Sequence, residues 1–173
     1  MIRAFVGIGS NLGAPERRVL DAIDALGRLP ATEPGRRSAL YRTAPWGETD
    51  QPDFVNAVAE LRTTLEPETL LDELQQLENA AGRVRDPEHR WGPRVLDLDL
   101  LWFGGRALDT PRLTVPHPRM HERAFVLHPL CDLEPLLELP QGRVDALLAE
   151  LGPAGVQRLP DPAVRDSRRG QTA

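Results

Sequence analysis

Two aspartates interrupt an aliphatic run, LDLDLLWF, that is otherwise typical of a buried β-strand. In a strand, residues i and i+2 point to the same face, so Asp97 and Asp99 are neighbours while Leu96, Leu98 and Leu100 point to the other face. Adjacent carboxylates repel each other, and Mg²⁺ relieves that repulsion while keeping coordination positions for phosphate and water. The pattern fits a hard-cation site, although a half-buried strand with one solvated face has the same pattern.

The segment before this strand is rich in arginine. Arg83, Arg85, Arg90 and Arg94 lie within residues 83–94, and Trp91 stands beside them as a packing or stacking surface. These arginines can form salt bridges with the two aspartates, or they can share a nucleoside triphosphate with a metal held by the aspartates. The second arrangement predicts phosphoryl-transfer chemistry.

Two further stretches carry residues suited to ligand binding. In APWGETDQPDFVN, Trp46 is either a hydrophobic plug or a platform for a flat ligand, and Phe54 and Asn56 share one strand face, which suits a planar heterocycle as well as ordinary strand alternation. In LTVPHPRMHERAF, His117 lies between two prolines and is therefore not helical. It is a turn residue, a phosphate ligand or a base, and Arg119 and Arg123 follow it.

The composition narrows the function classes. The 173 residues suit a single domain, and the net charge of −5 disfavours a non-specific nucleic-acid binder. All 21 basic Lys and Arg positions are arginine, which excludes Schiff-base and P-loop lysine chemistry. The single cysteine, Cys131, excludes an internal disulfide. The chain begins with a strand-like run and has no apolar stretch of spanning length, so we expect a cytoplasmic protein without membrane partners.

Periodicity predicts an α+β domain. Strands are expected over 2–8, 36–43, 54–63 and 95–103, with helices over 15–29 and from Pro67 to a stop at Gly82. The turn GSNLG precedes the first helix, and its Ser10 or Asn11 is able to cap a helix. This β-α-β-β-α-β order is the ferredoxin-like plan with an antiparallel sheet.

The rest of the chain adds to this plan. A hairpin arm over 106–115 and helices over 120–131 and 142–151 are expected, and the C-terminal helices extend the fold to three αβα layers. We expect one domain over residues 1–160 and a polar, disordered tail over 161–173.

These motifs together resemble one family. The segments GSNLG, YRTAPWGETDQPDFVNAV, GRVRDPEHRWGPRVLDLDLLWFGG and LTVPHPRMHERAFVLHPL are similar to 6-hydroxymethyl-7,8-dihydropterin pyrophosphokinase, an enzyme of folate synthesis, from about residue 2 to about residue 140. The resemblance implies transfer of the β,γ-diphosphate of ATP to the hydroxymethyl group of the reduced pterin, which leaves AMP. It also implies two Mg²⁺ ions and mobile loops that close over the substrates.

The resemblance also implies roles for individual residues. Asp97 and Asp99 match the ligands of both metals, and Arg83 and Arg94 match the arginines that stabilise the transferring diphosphate. The positions that match ATP contacts are Gln75, Glu78, Arg85, Arg90, Trp91, Arg112, Thr114, His117 and Arg123. The positions that match the pterin pocket are Thr43, Ala44, Pro45, Trp46, Phe54, Asn56, Trp91 and Phe125.

Two other functions compete with this interpretation. A metal-dependent sugar-nucleotide transferase also uses a DxD pair, but such enzymes usually need a larger, doubly wound domain. A non-catalytic ferredoxin-like binding module predicts neither metal dependence nor AMP formation. We expect a monomer because no long exposed apolar stripe is left over.

Overall fold

The protein is described here by a computed structural model that covers residues 1–45, 47, 49–82, 87–89, 92–152 and 155–161. Its strands are β1 (Ile2–Ser10), β2 (Thr32–Arg37), β3 (Tyr41–Thr43), β4 (Phe54–Thr63), β5 (Asp97–Phe103), β6 (Leu108–Asp109), β7 (Thr114–Val115), β8 (Glu138–Leu139), β9 (Gly142–Arg143) and β10 (Val156–Arg158). Its helices are α1 (Pro15–Leu26), α2 (Pro67–Ala80), α3 (Ala124–Leu133) and α4 (Val144–Leu151). The part of the chain predicted as a tail lies outside the described residues beyond Asp161.

An antiparallel sheet forms the middle layer. Its order is β10-β3-β4-β1-β5, and β2 also pairs with β4. The central strand β1 pairs along its whole length with β4, and its other edge pairs with β5. The β-α-β-β-α-β core and the antiparallel sheet are therefore confirmed, and β5 lies at one edge of the sheet.

Helices cover both sheet faces, as the three-layer prediction requires. Proline occupies the first turn of both α1 and α2, where its missing N–H costs nothing. Leu26, Leu70 and Leu74 of these helices pack in one core with Val6 and Ile8 of β1. A second core forms on the opposite face, where α3 and α4 pack on the sheet.

The two cores use alternate residues of the same strands, as the period of a β-strand demands. In β1, Phe5 packs in the second core, whereas its neighbours Ala4 and Val6 pack in the first. In β5, Leu98 and Leu100 pack in the first core and Leu101 in the second. The register with β1 shifts at this point, so Phe5 pairs with Trp102 and Val6 with Leu100, which leaves Leu101 as a β-bulge.

Some predicted boundaries are wrong. The expected strand over 36–43 is two strands, β2 and β3, because the chain leaves the ladder at Ser38. The Ser38 backbone N–H donates to the Val58 carbonyl and its Oγ accepts from the Val58 N–H, both at 2.9 Å. Ser38 thereby satisfies the Val58 backbone in place of the ladder.

The helical boundaries differ in a similar way. The first helix ends at Leu26 rather than at residue 29, and the last begins at Val144 rather than at 142. The segment over 120–131 is a 3₁₀ turn (Met120–Glu122) followed by α3. Gly82 follows α2 with φ +88°, which supports its predicted role as the stop of that helix.

One further expectation is confirmed, and one strand was not expected. β6 and β7 form the hairpin arm that was expected over 106–115. The short strand β10, which joins the sheet beside β3, was not predicted. Within the described residues, no helix has the length and apolar character needed to cross a membrane.

Candidate active site

The aspartate pair lies at the start of β5, on the face that carries the second core. Asp97 pairs with Gly9 of β1, and Asp99 pairs with Gly7. Both carboxylates are partly exposed, while Leu98 between them is buried in the first core. The alternation of the sequence thus places both acids side by side over the sheet, and aliphatic side chains hold the strand from below.

Glycines form the floor next to the aspartates. Gly7 and Gly9 lie on the same strand face as Phe5, but as glycines they place no side chain over the sheet beside the carboxylates. A cavity of about 30 Å³ lies over them, with Asn56, Asp97, Asp99 and Phe125 on its walls. We call this space the inner cleft. It holds about one water molecule, so a larger ligand has to widen the cleft or extend beyond it.

Strands β3 and β4 supply the wall of the inner cleft opposite the aspartates. Asn56 is 7% exposed, and its Nδ2 donates to Thr43 Oγ1 at 2.9 Å. Phe54 and Asn56 lie two residues apart in β4, so they share one face, as the sequence predicted. Phe54 pairs with Thr43 on β3. Two other predicted positions, Ala44 and Pro45, come directly after β3.

The start of α3 closes the inner cleft from above. Phe125 lines the cleft, and the Arg123 guanidinium lies 5.7 Å from the Phe125 ring centroid. This distance is typical of a cation–π contact. The contact brings a positive charge to the rim of the cleft.

A second, larger pocket opens at the outer edge of β5. Its volume is about 280 Å³, and we call it the edge pocket. Arg112, Thr114 and His117 lie on its walls together with Asp99 and, from α2, Leu71. Asp99 therefore borders both the inner cleft and the edge pocket.

Helix α2 brings further predicted residues toward this region. Gln75 lies one turn after Leu71, and Glu78 lies almost one turn further, so these side chains share a helix face. Glu78 is 2% exposed, which is unusual for a carboxylate. Arg112 is tied to the same helix, since its guanidinium pairs with Asp72 and lies 3.8 Å from Glu68 Oε2.

His117 is held as a neutral imidazole. Burial, with the positive charges of Arg123 and Arg119, lowers the pKa of His117 to about 4, although Asp97 acts in the opposite direction. The Arg119 backbone N–H donates to His117 Nδ1 at 3.1 Å, so the ring proton lies on Nε2. At neutral pH, His117 therefore offers one N–H donor and no charge.

Asn11 connects the segments around the aspartate pair. Its Oδ1 accepts from the Arg94 N–H at 2.8 Å, and its Nδ2 donates to Gln51 Oε1 at 2.9 Å and to the Pro52 carbonyl at 3.0 Å. The predicted capping role of Ser10 or Asn11 is wrong, because Ala14 is the N-cap of α1 and no side chain caps it. The Asn11 amide is used instead to join two loops.

Arg94 contacts the aspartate pair directly. Its Nη1 lies 3.3 Å from Asp97 Oδ1, with both side chains about one-quarter to one-third exposed (25% and 30%). A guanidinium at this position can interact with an anion that approaches the carboxylates.

The acids fit a metal that takes most of its ligands from phosphate and water. Within the described part of the chain, no three His, Cys, Asp or Glu side chains form a group that could hold a metal ion. Two carboxylates on adjacent positions of one strand face suit Mg²⁺, which keeps several water or phosphate oxygens rather than an all-protein cage.

Several predicted site residues lie outside the described residues: Trp46, Arg83, Arg85, Arg90 and Trp91. Three positions near the site were missed from the sequence, namely Gly7, Gly9 and Asn11. The pattern G-x-G inside a strand was the available signal for the glycines, because glycine within a strand often marks a close approach of a ligand or a backbone.

Relatives of known name share this chain's sequence over most of its length. A 2-amino-4-hydroxy-6-hydroxymethyldihydropteridine pyrophosphokinase of Pseudomonas aeruginosa is 54% identical over 159 residues, which cover 91% of this chain and 97% of the relative. A protein of the same name from Bacillus subtilis is 44% identical over 130 residues, which cover 75% of this chain and 77% of the relative.

Solved structures share the fold. A crystal structure of an HPPK-DHPS in complex with substrates matches with a TM-score of 0.72 at 11% identity, over 91% of this chain and 48% of the other. A Plasmodium falciparum HPPK-DHPS with pterin and p-hydrobenzoate matches with a TM-score of 0.69 at 13% identity, over 91% and 47%. The chain spans about half the length of these proteins.

The family model for 7,8-dihydro-6-hydroxymethylpterin-pyrophosphokinase (HPPK) matches residues 5–135. This range contains most of β1, all of β2 to β7, the aspartate pair and the residues that line both pockets. The chain belongs to the 7,8-dihydro-6-hydroxymethylpterin-pyrophosphokinase family.

Proposed function

We propose that this protein transfers diphosphate from ATP to the hydroxymethyl group of 6-hydroxymethyl-7,8-dihydropterin. The products are AMP and the pterin diphosphate ester, and the reaction is a step of folate biosynthesis. The observation that carries this proposal is the position of Asp99 on the border of two pockets of different character. A transferase that joins two substrates needs both reacting groups at one place.

The inner cleft is proposed to bind the pterin. Asn56 offers an amide that can hydrogen-bond a planar heterocycle, and Phe125 and Phe54 offer aromatic surface. Thr43, Ala44 and Pro45 lie at the same end of the sheet. Trp46 and Trp91, which lie outside the described residues, are also proposed to contact the pterin.

The edge pocket is proposed to bind ATP. Its volume and its mixture of Leu71, Arg112, Thr114 and His117 suit a nucleotide, whose base needs apolar contact and whose phosphates need donors. Since His117 is neutral, it is proposed to donate its Nε2–H to a nucleotide oxygen. The remaining proposed ATP contacts are Gln75, Glu78, Arg85, Arg90, Trp91 and Arg123.

Asp97 and Asp99 are proposed to hold two Mg²⁺ ions. Mg²⁺ held by these carboxylates would supply charge that offsets the negative charge of the phosphates. Arg94, which already contacts Asp97, is proposed to interact with the transferring diphosphate together with Arg83. The aliphatic residues beneath β5 keep the carboxylates in place, so little reorganisation is needed as charge develops.

One assay tests the proposal and separates it from its competitors. The purified protein is incubated with ATP, Mg²⁺ and 6-hydroxymethyl-7,8-dihydropterin, and AMP is measured against a reaction without the pterin. We expect AMP that depends on both the pterin and Mg²⁺. Folded protein that forms no AMP would contradict the proposal and favour a binding module, and turnover of a nucleotide sugar instead would favour a sugar-nucleotide transferase.

The remaining expectations accompany this proposal. We propose that the enzyme is a cytoplasmic monomer, that residues 1–160 form its single domain, and that it has no nucleic-acid or membrane partner. Size-exclusion chromatography with light scattering measures the oligomeric state.

A further inference from the structure

Gly9 is a glycine whose backbone does not need to be glycine. Its φ lies outside the left-handed region that L side chains rarely adopt, and it pairs regularly with Asn56 on β4 and Asp97 on β5. A glycine inside a strand makes the folded state less stable than an alanine at the same position would. The benefit of glycine here therefore has to come from space rather than from conformational freedom.

The space over Gly9 is taken up by the amide of Asn56. A Cβ added to Gly9 would lie 2.9 Å from Asn56 Oδ1, closer than two such atoms normally come. The Asn56 amide is fixed on its other side, because Nδ2 donates to Thr43 Oγ1 at 2.9 Å. The amide is thus oriented by a hydrogen bond on one side and by the absence of a side chain on the other.

Gly7 differs from Gly9 although both lie on the same strand face. A Cβ on Gly7 would meet the Leu101 side chain, with its nearest atom at 3.4 Å. That is close to ordinary van der Waals contact with the end of a flexible side chain. Space at Gly7 therefore serves apolar packing, whereas space at Gly9 serves a polar group on the wall of the inner cleft.

We infer that Gly9 is a positioning residue for heterocycle recognition: its missing side chain leaves Asn56 Oδ1 facing the inner cleft, where it accepts hydrogen bonds from a planar ligand. The ligand class is a flat heterocycle that carries N–H donors on one edge. This inference rests on the proposed function, because it assigns the heterocycle to the inner cleft. Gly9 acts through Asn56, so its effect disappears when Asn56 is removed.

A double-mutant cycle tests this inference. The dissociation constant of the pterin is measured by calorimetry for wild type, Gly9→Ala, Asn56→Ala and the double variant, each checked for folding by circular dichroism. We expect Gly9→Ala to weaken pterin binding about 10-fold or more, as expected when a buried acceptor is misplaced. In the Asn56→Ala background, Gly9→Ala changes the pterin affinity by less than about 3-fold, which corresponds to about 0.6 kcal/mol.

Two further measurements separate positioning from general damage. The affinity for ATP stays within about 2-fold in Gly9→Ala, since the edge pocket does not contact Gly9. In NMR spectra without ligand, the side-chain amide signals of Asn56, identified by their loss in Asn56→Ala, shift in Gly9→Ala. Gly7→Ala is the matched control, and its effect on pterin binding is the same with and without Asn56.

Several outcomes overturn the inference. If Gly9→Ala binds the pterin as tightly as wild type, the inference is wrong. It is also wrong if Gly9→Ala weakens pterin binding equally in the wild-type and Asn56→Ala backgrounds, because the new methyl group would then obstruct the ligand directly. A wild-type protein that binds the pterin through Asn56 but forms no AMP refutes the proposed function and leaves the Gly9 inference standing. A wild-type protein that binds no pterin refutes both.

Discussion

The two halves of the sheet face beneath α3 are built from the same strands but differ in what they do. In one half, Phe5, Val58 and Leu101 are almost fully buried against the helices. In the other half, the same strands present Gly9, Asn56 and Asp97 to an open cleft, so the contacts across the layer are lost. Large side chains join the layers at one end, and glycine and polar side chains separate them at the other.

Charges differ between the halves as well. In the packed half, Glu60 is 5% exposed, and two arginines contact it: Arg36 Nε donates to Glu60 Oε2 at 3.0 Å and Arg3 Nε lies 3.5 Å from Oε1. At the open end, Asp97 and Asp99 are partly exposed and lie on adjacent positions of one strand face. We expect the carboxylate that two arginines contact to contribute to folding, and the pair that borders the cleft to contribute to the proposed ligand binding. Separate mutations test this division.

The largest effect is expected for the open half. Replacing both Asp97 and Asp99 by alanine removes the proposed metal ligands, and we expect AMP formation to fall by at least about 10³-fold. The melting temperature stays within a few degrees of wild type, because the side chains removed are partly exposed rather than packed. A double variant that no longer folds would show that the pair is structural and would remove the contrast between the halves.

A smaller loss of activity is expected from the link between the loops. Asn11→Ala removes three hydrogen bonds and leaves the Arg94 N–H without this acceptor, so we expect kcat/KM to fall about 10-fold and stability by about 1–2 kcal/mol. Asn11→Asp is the matched control, since it keeps the acceptor for Arg94 but loses both donors. Its activity lies between those of wild type and Asn11→Ala, and full activity in Asn11→Ala would contradict a role for this link.

The packed half should show the opposite profile. Glu60→Ala leaves Arg3 and Arg36 without their shared partner, and we expect denaturant unfolding to show a loss of about 1–3 kcal/mol, since both arginines keep some contact with water. The kcat/KM of the folded variant stays within about 3-fold of wild type. Arg17→Ala, which breaks an exposed helix pair with Asp21, is the control and costs less than about 0.5 kcal/mol. A Glu60→Ala variant with unchanged unfolding free energy and a kcat/KM lowered by more than about 3-fold would contradict the assignment of Glu60 to the packed half.

The last test changes the pH instead of a side chain. The pKa of His117 is lowered to about 4, so the unfolded chain, with an ordinary value of 6.5, binds the proton first as the pH falls. Neutral His117 therefore contributes fully to the free energy of unfolding above pH 6.5. This contribution is lost as the pH falls toward 4, by about 1.4 kcal/mol per pH unit. Denaturant unfolding of metal-free protein between pH 7 and pH 4.5 measures this slope. His117→Gln is less dependent on pH over that range, and an unchanged slope would show that His117 titrates normally.

Local patterns predicted much of this molecule. The alternation of LDLDL placed the two carboxylates on one face, and the spacing of Leu70 and Leu74 identified the buried side of α2. The element order was sufficient for the ferredoxin-like core and for its antiparallel sheet. These features depend on neighbours in the chain, which a sequence displays directly.

Features that depend on distant neighbours were harder to predict. The role of Gly9 depends on β1 lying between β4 and β5, and the role of Asn11 depends on two loops that meet only in the folded chain. The break at Ser38 depends on the backbone of Val58, twenty residues further along the chain. In each case the interacting residue comes close only in the tertiary structure, so the sequence around the first residue does not identify it.

The bulge at Leu101 restricts how the length of this segment can change during evolution. Before the bulge, Leu98 and Leu100 pack in the first core, and after it Phe103 does so, although its spacing from them is odd. Losing one residue between Leu100 and Phe103 would bring these two side chains to the regular i, i+2 spacing, so both would stay in the first core only if the bulge disappeared with the lost residue. Leu101 would then be missing from the second core. Homologues that are one residue shorter between Asp99 and Phe103 are therefore expected to lack the bulge, and those that keep the bulge are expected to keep this distance.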